Sequence, residues 1–339
     1  MGSRQHKTRS NMRDVADKAG VSVATVSRVL NGTDGVTEAT RQRVEKAAED
    51  LSFVPSPAAR AINSGRTHMV GALVPTLDHA IFSRYIDALE LELVNRGFSL
   101  VVATTGGDLS RETARAENLL DLGVEGLFVS GITHSPDFDA LIKRRDVPVV
   151  ATSYFQDDNS LPTVGYDNAK VARMALTHLR DLGHNNIAVV SGFSENNDRT
   201  AARLEGIRNH GQANLIFLQT DIAHEAAGDS AIALLNDHPA LTAFLCLSDI
   251  LAQGVLFRLQ SRGVQVPGDI SIIGIDDLPG SASTAPPLTS VRLPVAQMGR
   301  HAAAALAGWI EDDVKPGHHE LFGTISLRQS TRRVGSDRQ

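Results

Sequence analysis

The chain has 339 residues, 42% of them hydrophobic and 21% charged, and exceeds the roughly 250 to 300 residues at which one hydrophobic core stops growing, so more than one domain is expected. No apolar run approaches the ~18 residues of a membrane span, and the polar opening "MGSRQHKTRS" lacks the apolar core of a secretory signal, which predicts a cytoplasmic protein with no membrane partner. The net charge of -6 argues, as an average, against a nucleic-acid partner.

The average conceals an asymmetry. Residues 1–68 hold 11 Lys/Arg against 7 Asp/Glu, so this segment is net positive and the remainder strongly negative. Within it, "DVADKAGVSVATVSRVLNGT" predicts a short helix around Asp14 to Ala19 that buries Val15, Ala16 and Ala19 and ends at Gly20. Ser22 caps a second helix running from Val23 to Asn31. At 100° per residue Val26, Val29 and Leu30 share one face, and Ala24, Ser27, Arg28 and Asn31 project from the other. A third helix, starting at Thr37, buries Val44, Ala47, Ala48 and Leu51.

Two short helices joined by a glycine turn, with a cationic outer face on the second, form a helix-turn-helix that can enter the DNA major groove. The candidate contacts are Ser22, Val23, Ala24 and Thr25 at its start and Ser27, Arg28 and Asn31 on its outer face. Arg28 suits guanine O6 and N7, and Val23 and Ala24 suit a thymine methyl. A further short helix, about 57–63, opens at Pro57. It is too short to be stable alone, and Ile62 on it suits a minor-groove wedge, with Ala59 small enough for close approach.

From Met69 the texture changes. The β-branched runs "MVGALVP", "FSLVVATT", "EGLFVSG", "VPVVATS", "NIAVVSG", "LIFLQT", "AFLCLS" and "ISIIGIDD" alternate with amphipathic helices such as Ile81 to Arg96 and Asp167 to Leu182. Such alternation predicts parallel sheets covered on both faces, with ligands bound beyond the strands' carboxyl ends. The polar residues there are Ser130, Ser153, Ser248, Asp249, Asp276 and Asp277, and Arg203 follows on a helix. Hydroxyls, carboxylates and a guanidinium suit the vicinal hydroxyls or carboxylate of a small polar ligand, although each alone reads equally well as a turn or cap residue.

An enzyme is disfavoured. No G-x-G-x-x-G follows a strand, and neither G-x-x-x-x-G-K-[ST] nor G-x-S-x-G occurs. Asp276 and Asp277 point to opposite faces if their strand continues, which speaks against a carboxylate pair. His318 and His319 are adjacent without further spaced ligands and read as exposed loop histidines, not a metal site. The single cysteine, Cys246 in "TAFLCLSD", reads as an inert buried thiol. No cofactor is expected.

The stretches "RDVADKAGVSVATVSRVLNG", "VTEATRQRV" and "LSFVPSPAARAINSGRT", and almost all that follows to about residue 333, resemble the lactose repressor (LacI) family of bacterial transcription regulators. The resemblance implies an N-terminal all-α helix-turn-helix DNA-binding domain with a hinge helix, 1–68, followed by an α/β two-lobed periplasmic-binding-protein-like effector domain, 69–333, and a tail, 334–339. One lobe comprises about 69–163 plus 293–323, the other 164–292 plus 324–333. It implies a repressor on a pseudo-palindromic operator whose affinity is tuned by a small polar effector, a sugar or sugar derivative. It also implies an effector cleft lined by Phe82, Ser130, Ser153, Tyr154, Arg203, Ser248 and Asp276. Ser248 stands where many members have asparagine, and near Ala223 the aromatic that stacks on a sugar in many members is absent. The wedge position, a leucine in the family, is Ile62. A transport-type sugar-binding protein would share the large domain but not the DNA reader. Because one reading helix covers only a few base pairs, a homodimer is expected, and the tail "LRQSTRRVGSDRQ" lacks the leucine heptads of a larger bundle.

Overall fold

The computed structural model describes residues 10–30, 35–53, 65–210 and 214–335. Asn31 and the hinge segment 57–63, with Ala59 and Ile62, lie outside the described residues. The chain divides into two compact units, Met1–Thr67 and His68–Gln339.

The first unit is built on three helices, α1 (Met12–Ala19), α2 (Val23–Leu30) and α3 (Glu38–Asp50). Helix α1 begins two residues before the predicted Asp14. Asn11 accepts from the Arg13 and Asp14 amides at 2.8 and 3.2 Å, and Asp14 accepts in return from the Asn11 amide at 2.8 Å. This reciprocal cap satisfies amides that the first turn leaves without partners. Gly20, at φ 65°, sits in the left-handed region that ends the helix and reverses the chain. The Ser22 hydroxyl then accepts from the Thr25 amide at 3.2 Å and starts α2. Val15, Ala16, Ala19, Val26, Val29, Val44, Ala47 and Ala48 form the shared core. Leu30 and Leu51 are only partly buried at its rim, short of the full burial that the helical spacing predicts. Thr37 precedes α3 as its flanking residue and does not begin it.

The second unit carries two six-stranded sheets. The first is ordered β11-β5-β4-β3-β1-β2, from β1 (Met69–Val74), β2 (Ser99–Thr104), β3 (Leu127–Ser130), β4 (Val149–Thr152), β5 (Thr163–Gly165) and β11 (His319–Glu320). The second is ordered β12-β10-β9-β8-β6-β7, from β6 (Asn186–Ser191), β7 (Asn214–Gln219), β8 (Ala243–Cys246), β9 (Ser271–Asp276), β10 (Thr289–Arg292) and β12 (Thr324–Ser326). All pairings are parallel except β10 with β12. The chain passes between the sheets after β5, after β10 and after β11.

Parallel strands need covered faces. In the first sheet one face meets α4 (Ala80–Asn95) and α11 (Val295–Asp312), through Leu89, Leu93, Ala302 and Leu306. Its other face meets α5 (Leu109–Asp121) and α6 (Pro136–Arg145), through Leu119, Phe138 and Leu141. The second sheet lies between α7 (Asn168–Asp181) with α8 (Asp198–Arg208) and α9 (His224–Asp237) with α10 (Asp249–Ser261). Cys246 is fully buried in this layer, and burial pushes its thiol up, away from the reactive thiolate. His318 is half-buried, not exposed, with Nδ1 3.1 Å from the Thr163 hydroxyl. His319 lies in β11 with its ring stacked on that of His301. Among the described residues no helix is long and apolar enough to cross a membrane.

Candidate functional site

In the second unit the carboxyl ends of strands from both sheets converge on one cleft of about 370 Å³. Its walls are segments that leave β1 (Pro75 to Phe82), β2 (Gly106, Gly107), β4 (Ser153), β6 (Gly192 to Arg203), β8 (Leu247 to Leu251) and β9 (Asp276, Leu278). Parallel sheets place their loops and helix N-termini at this end, so polar groups collect there without disturbing the core.

Five of the seven predicted effector residues line the cleft: Phe82, Ser153, Arg203, Ser248 and Asp276. Ser130 and Tyr154 do not. Ser130 lines a small neighbouring hollow that shares Pro75, Gly107, Asn196 and Arg199 with the cleft, and Tyr154 lies outside the lining. Ser248 accepts from the Leu251 amide at 3.4 Å as the cap of α10, so its hydroxyl serves the helix as well as the cleft.

Arg203 is buried and fixed. Its Nε donates to Asn168 Oδ1 at 3.0 Å and its Nη1 to the Leu247 carbonyl at 2.7 Å. Asn168 in turn donates to the Ser153 carbonyl at 2.9 Å, so one chain of bonds ties the end of β4 to the end of β8 through the cleft floor. These contacts occupy Arg203 with neutral acceptors and leave Asp276 without its full compensation. Burial pushes the Asp276 carboxyl up to about 8, against the opposing pull of Arg203.

Asp276 and Asp277 do not alternate across a continuing strand, as the sequence pattern predicted. Strand β9 ends at Asp276, and both residues have positive φ, 123° and 52°, conformations that L residues seldom adopt. The turn aims Asp276 into the cleft and sends Asp277 away from it to Arg292 Nε at 2.7 Å, Arg328 Nη2 at 2.6 Å and the Ser326 hydroxyl at 2.8 Å. Burial raises the Asp277 carboxyl, but these three donors outweigh it and hold the group below the usual carboxylate range. Asp249, fully buried behind the cleft, accepts from the Ser281 hydroxyl, the Ser290 hydroxyl at 2.5 Å and the Leu278 amide at 2.8 Å, and so shapes the same turn.

A pH consequence follows. The folded-state value of Asp276 lies above the ~4 of an unfolded aspartate, so the folded protein holds the extra proton between those limits, and this contribution to stability falls as pH rises from about 4 to about 8. Asp276→Asn keeps the neutral shape. Its melting temperature, relative to wild type, is expected to rise by a few degrees, on the order seen for small energetic changes, between pH 5 and 8.5. Parallel pH curves for the two proteins would show instead that the carboxylate is charged in the fold.

Several lining residues were not singled out from the sequence: His79, Tyr85, Tyr166, Asn197, Arg199 and Thr200. Where the stacking aromatic is missing near Ala223, Ile222 and Phe193 line the wall, and Phe82, its ring 6.5 Å from that of His79, and Tyr85 are aromatics of the opposite lobe. In the first unit, Val23 is 41% exposed, and Ser22, Ala24 and Arg28 are also exposed, whereas Thr25 and Ser27 are half-buried. Among the described residues no group of three or more His, Cys, Asp or Glu is placed to hold a metal ion.

The model of the "Bacterial regulatory proteins, lacI family" matches residues 11–56, and that of a "Periplasmic binding protein-like domain" matches residues 176–331. The HTH-type transcriptional repressor CytR of Escherichia coli (strain K12) is 31% identical over 98% of this chain and 99% of its own length. The crystal structure of the lac repressor dimer bound to operator and the anti-inducer ONPF superposes with a TM-score of 0.87 at 25% identity, covering 96% of this chain and all of that one. A transcriptional regulator CelR–cellobiose complex superposes with a TM-score of 0.67 at 26% identity, covering 95% of this chain and all of that one. With a three-helix unit ahead in sequence of a cleft between two mostly parallel sheets, and a relative matched end to end, the chain belongs to the lacI family of bacterial regulatory proteins.

Proposed function

We propose that this protein is a transcriptional repressor that binds a pseudo-palindromic operator as a homodimer through α2, with an affinity set by a small polar effector held in the cleft. The observation that carries the reading is that one chain holds both halves of such a device. A helix-turn-helix offers Val23, Ala24 and Arg28 to a partner, and a separate cleft collects Ser153, Arg203, Ser248 and Asp276. CytR, named a repressor, and the lac repressor structure with its operator support the DNA half. The cellobiose complex supports a sugar or sugar derivative as the effector. Arg203 and Asp276 supply a donor and a carboxyl group for hydroxyls, and Phe82 and Ile222 supply apolar walls for a ring.

Arg28 tests the DNA half. Replacing it by alanine should weaken operator binding by about 1 to 3 kcal/mol, roughly 5- to 150-fold, and relax preference at one base pair per half-site. Fluorescence-anisotropy titrations at one salt concentration, on the operator and on duplexes varied at each position, measure both quantities. An equal loss on every duplex would make Arg28 a phosphate contact and remove it as a base reader.

A further inference from the structure

Asp198 and Arg199 open α8 in the lobe of the second sheet, yet their side chains end on the last residue of β3 and the loop that follows it in the lobe of the first. Asp198 Oδ2 accepts from the amides of Ile132 at 2.5 Å and Thr133 at 2.9 Å. Arg199 Nη1 pairs with Asp198 Oδ1 at 3.1 Å and also donates to the Ser130 carbonyl at 2.7 Å. The two side chains are only 10% and 14% exposed, so these charge-assisted bonds are largely withdrawn from water, where they are stronger than at an open surface. Gly131, at φ 92°, lies between the bonded groups, and a Cβ there would run into both side chains.

The match is complementary on each side. The end of β3 and its loop present one carbonyl and two successive amides, and the helix start presents a carboxylate and a guanidinium. A longer cross-lobe bond, from Arg84 Nη1 on α4 to the Asp277 carbonyl at 3.3 Å, joins the lobes beside the β9 turn. We infer that Asp198 and Arg199 latch the two lobes together at the rim of the cleft. Arg199 also lines both the cleft and the hollow that holds Ser130, so the group that closes the lobes is one that a bound molecule meets. Opening the latch moves a side chain of the cleft wall, and lobe closure and pocket shape are thereby linked. The inference stands on the cross-lobe bonds and not on what the cleft binds.

Residue-resolved amide hydrogen exchange on the full chain, with no ligand added, tests it. The Ile132 and Thr133 amides should be protected in the wild type, and Asp198→Ala should speed their exchange by about tenfold or more while Phe128 and Val129 in β3 keep their rates. Asn197→Ala removes the cap bond to the Thr200 amide, 3.2 Å long, at the start of the same helix, and should leave Ile132 and Thr133 protected. Three results overturn the latch: rapid exchange of both amides in the wild type, equal acceleration by Asn197→Ala, or acceleration by Asp198→Ala that spreads equally to Phe128 and Val129.

Discussion

Arg203→Ala is expected to abolish the response of operator binding to the effector while leaving operator affinity without effector near the wild-type value. The guanidinium lies in the cleft, far along the chain from α2, and an effector shifts DNA affinity only through contacts that differ between the two arrangements of the protein. The substitution also has a structural cost. It strips the Leu247 carbonyl and the Asn168 side-chain oxygen of a donor, and buried acceptors left unpaired destabilise by about 1 to 3 kcal/mol each. Loss of the response should therefore come with a lower melting temperature. Arg203→Lys keeps the charge but not the fork that reaches two acceptors, so it should recover little of either property. Operator titrations with and without effector, beside thermal melts, separate the effects; a variant that still responds normally would place the effector elsewhere.

The second large effect is expected at Asp277, which does not enter the cleft. Its side chain is 3% exposed and takes Arg292, Arg328 and Ser326 as donors. Arg292 can turn to water, but Arg328 is only 18% exposed and would keep its charge with no carboxylate to offset it, only the Leu288 carbonyl. Breaking such a pair from one side destabilises by about 3 to 5 kcal/mol when both groups are buried, and the partial exposure here reduces that to roughly 2 to 4. In a unit of this size each kcal/mol corresponds to about 2 to 4 °C, so Asp277→Ala should melt about 5 to 15 °C below wild type. Because the folded carboxyl is held below its unfolded value, this stabilisation is present at neutral pH. It should be lost as pH falls below about 4 toward the folded value. Equal melting temperatures for the two proteins at pH 7 would contradict the assignment.

Much of the architecture is legible in the sequence because the signal is local. Runs such as "ISIIGIDD" are apolar and β-branched over enough residues to identify buried strands, and Gly20 between two short apolar repeats identifies the helix-turn-helix. Strands β5, β10, β11 and β12 escape that reading. They span two to four residues rich in Thr, Ser and His, and they form only because a neighbouring strand offers an edge.

The site divides along the same line. Topology alone sends Ser153, Ser248 and Asp276 to the cleft, since each ends or follows a strand. Ser130 satisfies the same rule and nevertheless lines a neighbouring hollow, with its carbonyl taken by Arg199 from the other lobe. Asp198 and Arg199 read locally as ordinary residues of a helix first turn; their partners are more than 60 residues away in sequence. The two adjacent aspartates do point apart, but by a turn and not by strand alternation, since φ is positive at both.

The coupling between cleft and operator is tested most directly by one titration. A thermal-shift screen of sugars, polyols and sugar acids identifies a molecule that stabilises the 339-residue protein, and random-pool selection with the same protein supplies an operator duplex. Operator binding is then titrated by fluorescence anisotropy, at fixed salt, with and without that molecule at saturation. The operator Kd should change by about 5- to 150-fold in the wild type and by less than about twofold in Arg203→Ala. An unchanged Kd in the wild type, with the molecule shown to occupy the cleft, would contradict effector control of DNA binding.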